Sequence, residues 1–334
     1  MVLVDDIGSF PLPKGVSRGE FSEVYPKAQK AVAEGKDLRK DSQLYEKFYK
    51  PVASSFKFKI DSGLDVINYP QHYDMHRQFL DAIMQHQVEP FLIDSNYAVI
   101  PELFVAQEEA KKFEKGKLKL KVCVTGAIEL YTRTTFGYYV YEEVLQNLAR
   151  SVNSFLRNAI LSTKYVETSV VSIDEPSLGF ADLLNVEEDA LIKALEKSVE
   201  GIAAEVQIHL HTLKAVEMPL KARGIDAIGS EFAASPRNAE LISKKVLEKY
   251  DKFLRAGITR TDIDSILAEW LEKGISPSPE QLVEEERVIR ARYEKLKEIF
   301  SERIAFAGPD CGLGSWPSQE TACLLLRRTV AAVR

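Results

Sequence analysis

The feature that most limits what this chain can fold into is a regular alternation of eight short β-rich runs with longer stretches of helical periodicity. The runs are VLVDD from Val2, LDVIN from Leu64, LKVCV from Leu120, SVVSID from Ser169, AEVQIH from Ala204, IDAIG from Ile225, DKFLRA from Asp251 and RIAFAG from Arg303. Between them lie amphipathic stretches such as YEEVLQNLARSVNSFLRNAIL from Tyr141, EDALIKALEKSVEGI from Glu188 and EQLVEEERVIRARYEKLKEIF from Glu280. Their apolar residues recur at three- and four-residue spacing, as a helix with one buried face requires. Eight such alternations predict an α/β fold, a (β/α)8 TIM barrel. A doubly wound open sheet shares the alternation and is the second choice. No Gly/Ser linker, fixed-period repeat or low-complexity tract divides the chain, so residues 1–334 read as a single domain. One break in the spacing, the charged segment from Pro11 to Ile60, is expected to be a helical elaboration of the first βα loop that covers the barrel mouth.

Composition narrows the function classes. A chain of 334 residues buries about three quarters of the surface its unfolded form exposes, so it needs no covalent staples. Net charge is -6, which leaves no basic footprint for nucleic acid. The three cysteines, Cys123, Cys311 and Cys323, are too few and odd in number for a disulfide framework, and they point to a reducing compartment. The N-terminus has no signal-peptide pattern, and no run approaches the ~18 apolar residues of a membrane helix. The expectation is a cytoplasmic protein with neither nucleic-acid nor membrane partners.

In a TIM barrel the working residues sit at the C-terminal ends of the strands. Here the unusual polar residues fall just after the β-rich runs. Asp5, Asp6 and Ser9 follow the first, Tyr69 and Gln71 the second, Thr125 and Gly126 the third. Asp174 and Glu175 end the fourth and His209 and His211 the fifth. Glu231 follows the sixth, Asp262 and Asp264 lie beyond the seventh, and Asp310 and Cys311 follow the eighth. Residues i and i+2 of an extended chain point the same way, so His209 and His211 can share one ion. Alone, an HxH pair is as often two polar residues on a half-exposed strand. A lone Glu231 is usually a solvated residue or helix cap, and a lone cysteine a small buried hydrophobe. Cys311, however, stands between Pro309 and Gly312 in a turn, a poor place for core packing. Jointly, two imidazoles, a carboxylate and a thiolate form a zinc-type ligand set.

The chain resembles the cobalamin-independent methionine synthase family, in the short form that lacks the family's N-terminal half. The motifs that carry the resemblance are DIGSFPLP at Asp6, VTGAIEL at Val124, IDEPSLG at Ile173, IHLH at Ile208, SEFAASPRN at Ser230 and GPDCGLGSWP at Gly308. The resemblance implies a zinc-dependent methyltransferase acting on the thiol of homocysteine. In that family zinc is held by a His-x-Cys pair, a Glu and a later Cys. His209, Glu231 and Cys311 match, and His211 stands where the family has its first cysteine. The resemblance further gives Ile7, Gly8, Ser9 and Asp174 as contacts to the amino acid, Asp174 also orienting it for catalysis. A family glutamate that grips the amino acid falls near Tyr69–Gln71, where no Glu stands. Asp264 falls where the family has a catalytic histidine. The folate-holding segments are not recognisable, which suits the short forms, expected to take the methyl group from methylcobalamin or a corrinoid protein.

Other readings stay open. The acceptor could be another small thiol. A zinc hydrolase also uses a His2Glu shell, although a thiolate ligand lowers the acidity of bound water. His72 and His76 lie one helical turn apart and read as a mixed helix surface. Cys123 and Cys323 sit in apolar surroundings and read as core. The aromatic segment YTRTTFGYYVY from Tyr131 is expected to pack the mouth loop or to stack on a flat donor.

Overall fold

The computed structural model describes residues 1–113, 116–136 and 139–334. Eight strands form one sheet: β1 (Leu3–Val4), β2 (Ile67–Asn68), β3 (Leu118–Thr125), β4 (Val166–Asp174), β5 (Glu205–Leu210), β6 (Ala227–Glu231), β7 (Phe253–Thr259) and β8 (Ile304–Pro309). Their order is β1-β8-β7-β6-β5-β4-β3-β2, every pair is parallel, and a parallel bridge between Asp5 and Val66 joins the two edge strands. The sheet therefore curls round on itself as a TIM-barrel-like α/β fold. Each β-rich run in the sequence overlaps one of these strands.

Parallel strands are covered on both faces, so both faces must be buried. Outside the barrel, Val122, Val124, Val171, Ile173, Ile208, Leu210, Leu254 and Ile258 pack against the helices as part of one large apolar cluster. Inside, the floor is a small separate cluster of Val66, Val170 and Phe306. Above the floor the interior turns polar. Lys121 and Arg255 donate to the two oxygens of Asp5, each at 2.8 Å, and all three are buried. Burial pushes the Asp5 carboxyl up, but Arg255 and Lys121 outweigh it and hold the pKa below the ordinary value.

Between β1 and β2 the chain runs through helices Arg18–Ala33 and Lys50–Asp61. Ser17 caps the first by accepting from the Glu20 N–H. These helices carry a second small core, including Phe21, Tyr25, Phe48 and Val52, which reaches Tyr73 and Val105. Three features differ from the sequence reading. A two-stranded hairpin, Gln87–Glu89 with Leu92–Ile93, turns through Phe91 at positive φ. Strand β7 starts two residues later than DKFLRA suggested, because Asp251 occupies a positive-φ turn. His72 and His76 precede their helix, which starts at Arg77. His72 is buried against Ser55 and the Phe10 carbonyl, and His76 meets Glu129 at 2.7 Å. Among the described residues no helix is long and apolar enough to cross a membrane.

Candidate metal centre

The C-terminal ends of β5, β6 and β8 converge on one point. His209 lies in β5, and His211 follows the strand on the same inward side. Glu231 ends β6 and Cys311 stands two residues beyond β8. One ligand atom from each of the four lies within 4.8 Å of all the others. His211 Nε2 is 3.7 Å from both Cys311 Sγ and Glu231 Oε1. A tetrahedral ion with bonds of 2.0–2.3 Å spaces its ligand atoms about 3.3–3.8 Å apart, so these separations need little adjustment. His209 is 4% exposed, and neither of its ring nitrogens has a hydrogen-bond partner among the described residues. A buried imidazole without a partner is costly unless something coordinates it. The donor set and its spacing thus fit a zinc-type cation.

Burial disfavours the charged form of each of the four groups. Burial drives the His209 pKa well below its ordinary value, with His211 adding to the effect, and lowers that of His211. Burial lifts the Glu231 carboxyl to about 7 and the Cys311 thiol to about 12. Neutral imidazoles are ready to ligate, whereas the carboxyl and thiol must lose protons, which a bound cation drives.

A second layer positions these donors. Asn238 sits 2.7 Å from the Glu231 carbonyl, 3.0 Å from that of His211 and 3.1 Å from the Ser230 hydroxyl. Asp310 accepts the N–H groups of Phe232, Ala233 and Ala234, which fixes the turn after Glu231. The Cys311 N–H donates to Thr261, whose carbonyl accepts from Trp316. Asn238 and Asp310 lie inside the SEFAASPRN and GPDCGLGSWP motifs, but their roles depend on contacts 7 to 78 residues apart in the chain.

The remaining expected residues of β1 and β4 stand on strands beside those of the donors, β1 next to β8 and β4 next to β5. Ile7, Gly8 and Ser9 follow β1, and the Ser9 hydroxyl accepts from the Gly314 N–H. The Gly8 carbonyl accepts from buried Lys59, which also pairs with Asp6 at 2.7 Å. Asp174 ends β4 in register with His209, and burial lifts its pKa to about 6. Asp264 is exposed on the first turn of helix Ile263–Glu272, and its carboxylate makes no hydrogen bond among the described residues. The neighbouring Asp262, paired with Arg260, is the carboxylate of that loop whose charge reaches Glu231. Glu129, absent from the sequence reading, holds His76, Arg133 and the Ser177 N–H. Burial opposes its ionisation, yet these partners bring its pKa down to about 2. In the aromatic segment from Tyr131, Phe136 packs against Tyr131 and Tyr141; Gly137 and Tyr138 lie outside the described residues.

Comparison with known proteins points one way. No family model matches the chain. A curated methionine synthase from Sulfolobus acidocaldarius is 23% identical over 202 residues, 59% of this chain and 51% of that protein, so the match spans about half of the relative's length. Among solved structures, a B12-independent methionine synthase from Shewanella sp., in complex with selenomethionine, is similar with a TM-score of 0.64 at 14% identity, covering 99% of this chain and 96% of that one. A putative vitamin-B12 independent methionine synthase from Listeria monocytogenes follows at 0.60 and 14%, covering 99% and 98%. A methyltransferase from Methanosarcina mazei gives 0.54 and 14%, covering 100% and 94%. The methionine synthase resemblance carried by the motifs therefore agrees with both the curated relative and the shared fold.

Proposed function

We propose that this chain is a zinc-dependent methyltransferase that moves a methyl group onto the thiol of homocysteine, giving methionine. The observation that carries the reading is the convergence of His209, His211, Glu231 and Cys311 on one point at the barrel mouth. Zinc held by these four would supply deprotonation of a coordinating thiol, whose free pKa is near ~8.5. The chain's own residues bring the reactants together. Ile7, Gly8 and Ser9 follow β1 beside the Cys311 turn, and Asp174 offers a carboxylate to the acceptor's ammonium group. The sulfur attacks the methyl carbon in line; as the S–C bond forms, the methyl–donor bond breaks and its electron pair leaves with the donor. Holding the two reactants aligned supplies much of the rate.

The donor in this reading is methylcobalamin or a corrinoid protein, with folate second. Residues 1–334 act as one domain whose first βα connection is an elaborated loop, in a cytoplasmic setting suited to three unpaired cysteines. Asp264, where the family has its catalytic histidine, stands on the first turn of helix Ile263–Glu272. Two measurements test the reading: metal content of the purified protein with and without Cys311→Ala, and thiol-dependent demethylation of methylcobalamin. One bound zinc lost in the variant, with homocysteine-dependent turnover, is the expected result. Turnover of an ester or amide without any thiol would favour a hydrolase instead.

A further inference from the structure

The proposed reaction leaves one proton without a destination. A thiol that coordinates the cation gives up its hydrogen inside the mouth, where most groups are already committed. His209, His211, Glu231 and Cys311 are the donors, and Asp174 is given to the ammonium group. Glu175 accepts the Ile128 and Glu129 N–H groups, Asp310 accepts three more, and Asp262 is paired with Arg260. His76 differs. Its loop follows β2, and the Thr125 hydroxyl ties the preceding Met75 carbonyl to the end of β3 at 2.8 Å. Thr125 stands in register with Asp174, and Asp174 with His209, so three neighbouring strands carry these groups in one row. Glu129, on helix Ala127–Thr132 just after β3, lies close enough to His211 for its charge to be felt there. The His76 Nε2 is 2.7 Å from a Glu129 carboxylate oxygen. Glu129 is 1% exposed, yet His76, Arg133 and the Ser177 N–H keep it ionised. An ionised carboxylate only accepts, so Nε2 carries the hydrogen of the neutral ring and Nδ1 keeps a bare lone pair. The other carboxylate beside the ring, Asp74, has its Oδ1 3.7 Å from Nδ1, too far for a hydrogen bond, and that oxygen already accepts the His76 and Arg77 N–H groups.

We propose that His76 is the base that takes the proton of the acceptor thiol on Nδ1, with Glu129 as the positioning residue that fixes its tautomer and holds its ring. This rests on the reading that a thiol coordinates the cation at the mouth. In the step the S–H bond breaks and an Nδ1–H bond forms, while the electron pair stays on sulfur. The imidazolium meets Glu129 at Nε2 and Asp74 near Nδ1; Arg133, which donates to the same Glu129 oxygen, is the cation that faces them. The side chain is 20% exposed, which gives the proton a way out to solvent after transfer. Glu129, brought down to about 2, is itself too weak a base for the task. A base oriented by a buried carboxylate is a recurring device for activating a nucleophile. It serves whichever molecule gives the methyl group, because the proton belongs to the acceptor.

The test uses the purified protein loaded with cobalt(II), whose charge-transfer absorption reports a sulfur or selenium ligand as it binds. Anaerobic stopped-flow mixing at neutral pH compares homocysteine with its selenol analogue, which arrives already ionised and needs no base. A free thiol is about 3% ionised under these conditions, so unassisted coordination should lag the selenol by about 30-fold. With the base in place, wild type should take the two at rates within about threefold of each other. In His76→Gln the homocysteine rate should fall about 30-fold while the selenol rate holds, and added imidazole should restore part of the loss. Glu129→Gln should also slow homocysteine alone, because the ring is then free to turn. A 30-fold lag already present in wild type overturns the proposal without any variant, on the same arithmetic of about 3% thiolate. Matched rates that survive His76→Gln overturn it too, and so does an equal fall for both ligands, which marks a purely structural role. Absence of the charge-transfer band with either ligand in wild type defeats the coordination reading itself and is distinct from all of these.

Discussion

Replacing Asn238 by alanine should loosen the metal centre without touching any of its four donors. The residue is 3% exposed, and its amide nitrogen faces three acceptors: the carbonyls of Glu231 and His211 and the Ser230 hydroxyl. It has two hydrogens, so two of these bonds are full at any moment. Its oxygen accepts from the Leu213 N–H at 3.3 Å. Three bonds at about 1 kcal/mol each, with a small cavity added, give a loss of roughly 3–4 kcal/mol in unfolding free energy. Because the two carbonyls belong to ligand residues, the donors themselves should drift, and losing such an outer partner weakens metal binding by about 10- to 100-fold. Asn238→Asp keeps the shape and the bond from Leu213 but sets a carboxylate against two carbonyl oxygens. It should lose metal at least as severely as the alanine variant. Urea unfolding gives the first quantity, and competition with a chromophoric chelator under native conditions gives the second. Metal affinity within about threefold of wild type in Asn238→Ala, alongside the full loss of stability, would falsify the idea that the clamp acts on the centre.

Three further outcomes are expected. His211→Cys should keep the cation and shift the transfer rate more than stability, since the side chain is 48% exposed and the change makes the ligand set more negative; unfolding or metal loss would contradict this. Lys59→Met should cost about 3–5 kcal/mol in urea unfolding, because it strands buried Asp6, and adding Asp6→Asn should recover part of that loss. Glu102 is fully buried, and burial lifts its pKa to about 8, above the ordinary 4.5. Its folded-state pKa is raised, so its contribution to stability is complete below pH 4.5 and is lost as pH rises toward 8. Glu102→Gln should flatten the dependence of the urea midpoint across that window; an unchanged slope would count against the assignment.

The barrel was legible because its signal is periodic. Eight apolar runs alternating with one-sided helices admit few architectures, and each run overlaps a strand. The cluster of His209, His211, Glu231 and Cys311 was legible because HxH, Glu and Cys are chemically unusual at strand ends and come together once the strands close round. The supporting residues were not. Asn238 and Asp310 act on backbone groups of other loops, and nothing in their neighbouring sequence marks that role. The His72–His76 spacing suggested a helix face, but Asp74 accepts from the His76 and Arg77 N–H groups and starts the helix later. Asp264 was placed by analogy with a motif, and the helix carries it outward into solvent.

The four clustered donors hang from β5, β6 and β8, while Ile7, Gly8 and Ser9 follow β1 and Asp174 ends β4. In the proposed reading, grip on the cation and contact with the acceptor through Ile7, Gly8, Ser9 and Asp174 are written in different stretches of the polypeptide, and Asp174 stands in register with His209 on the neighbouring strand. A lineage could exchange one acceptor for another through substitutions before residue 175 and leave the inorganic chemistry intact. The same separation lets an engineer randomise the first half of the chain while monitoring the second by metal retention alone.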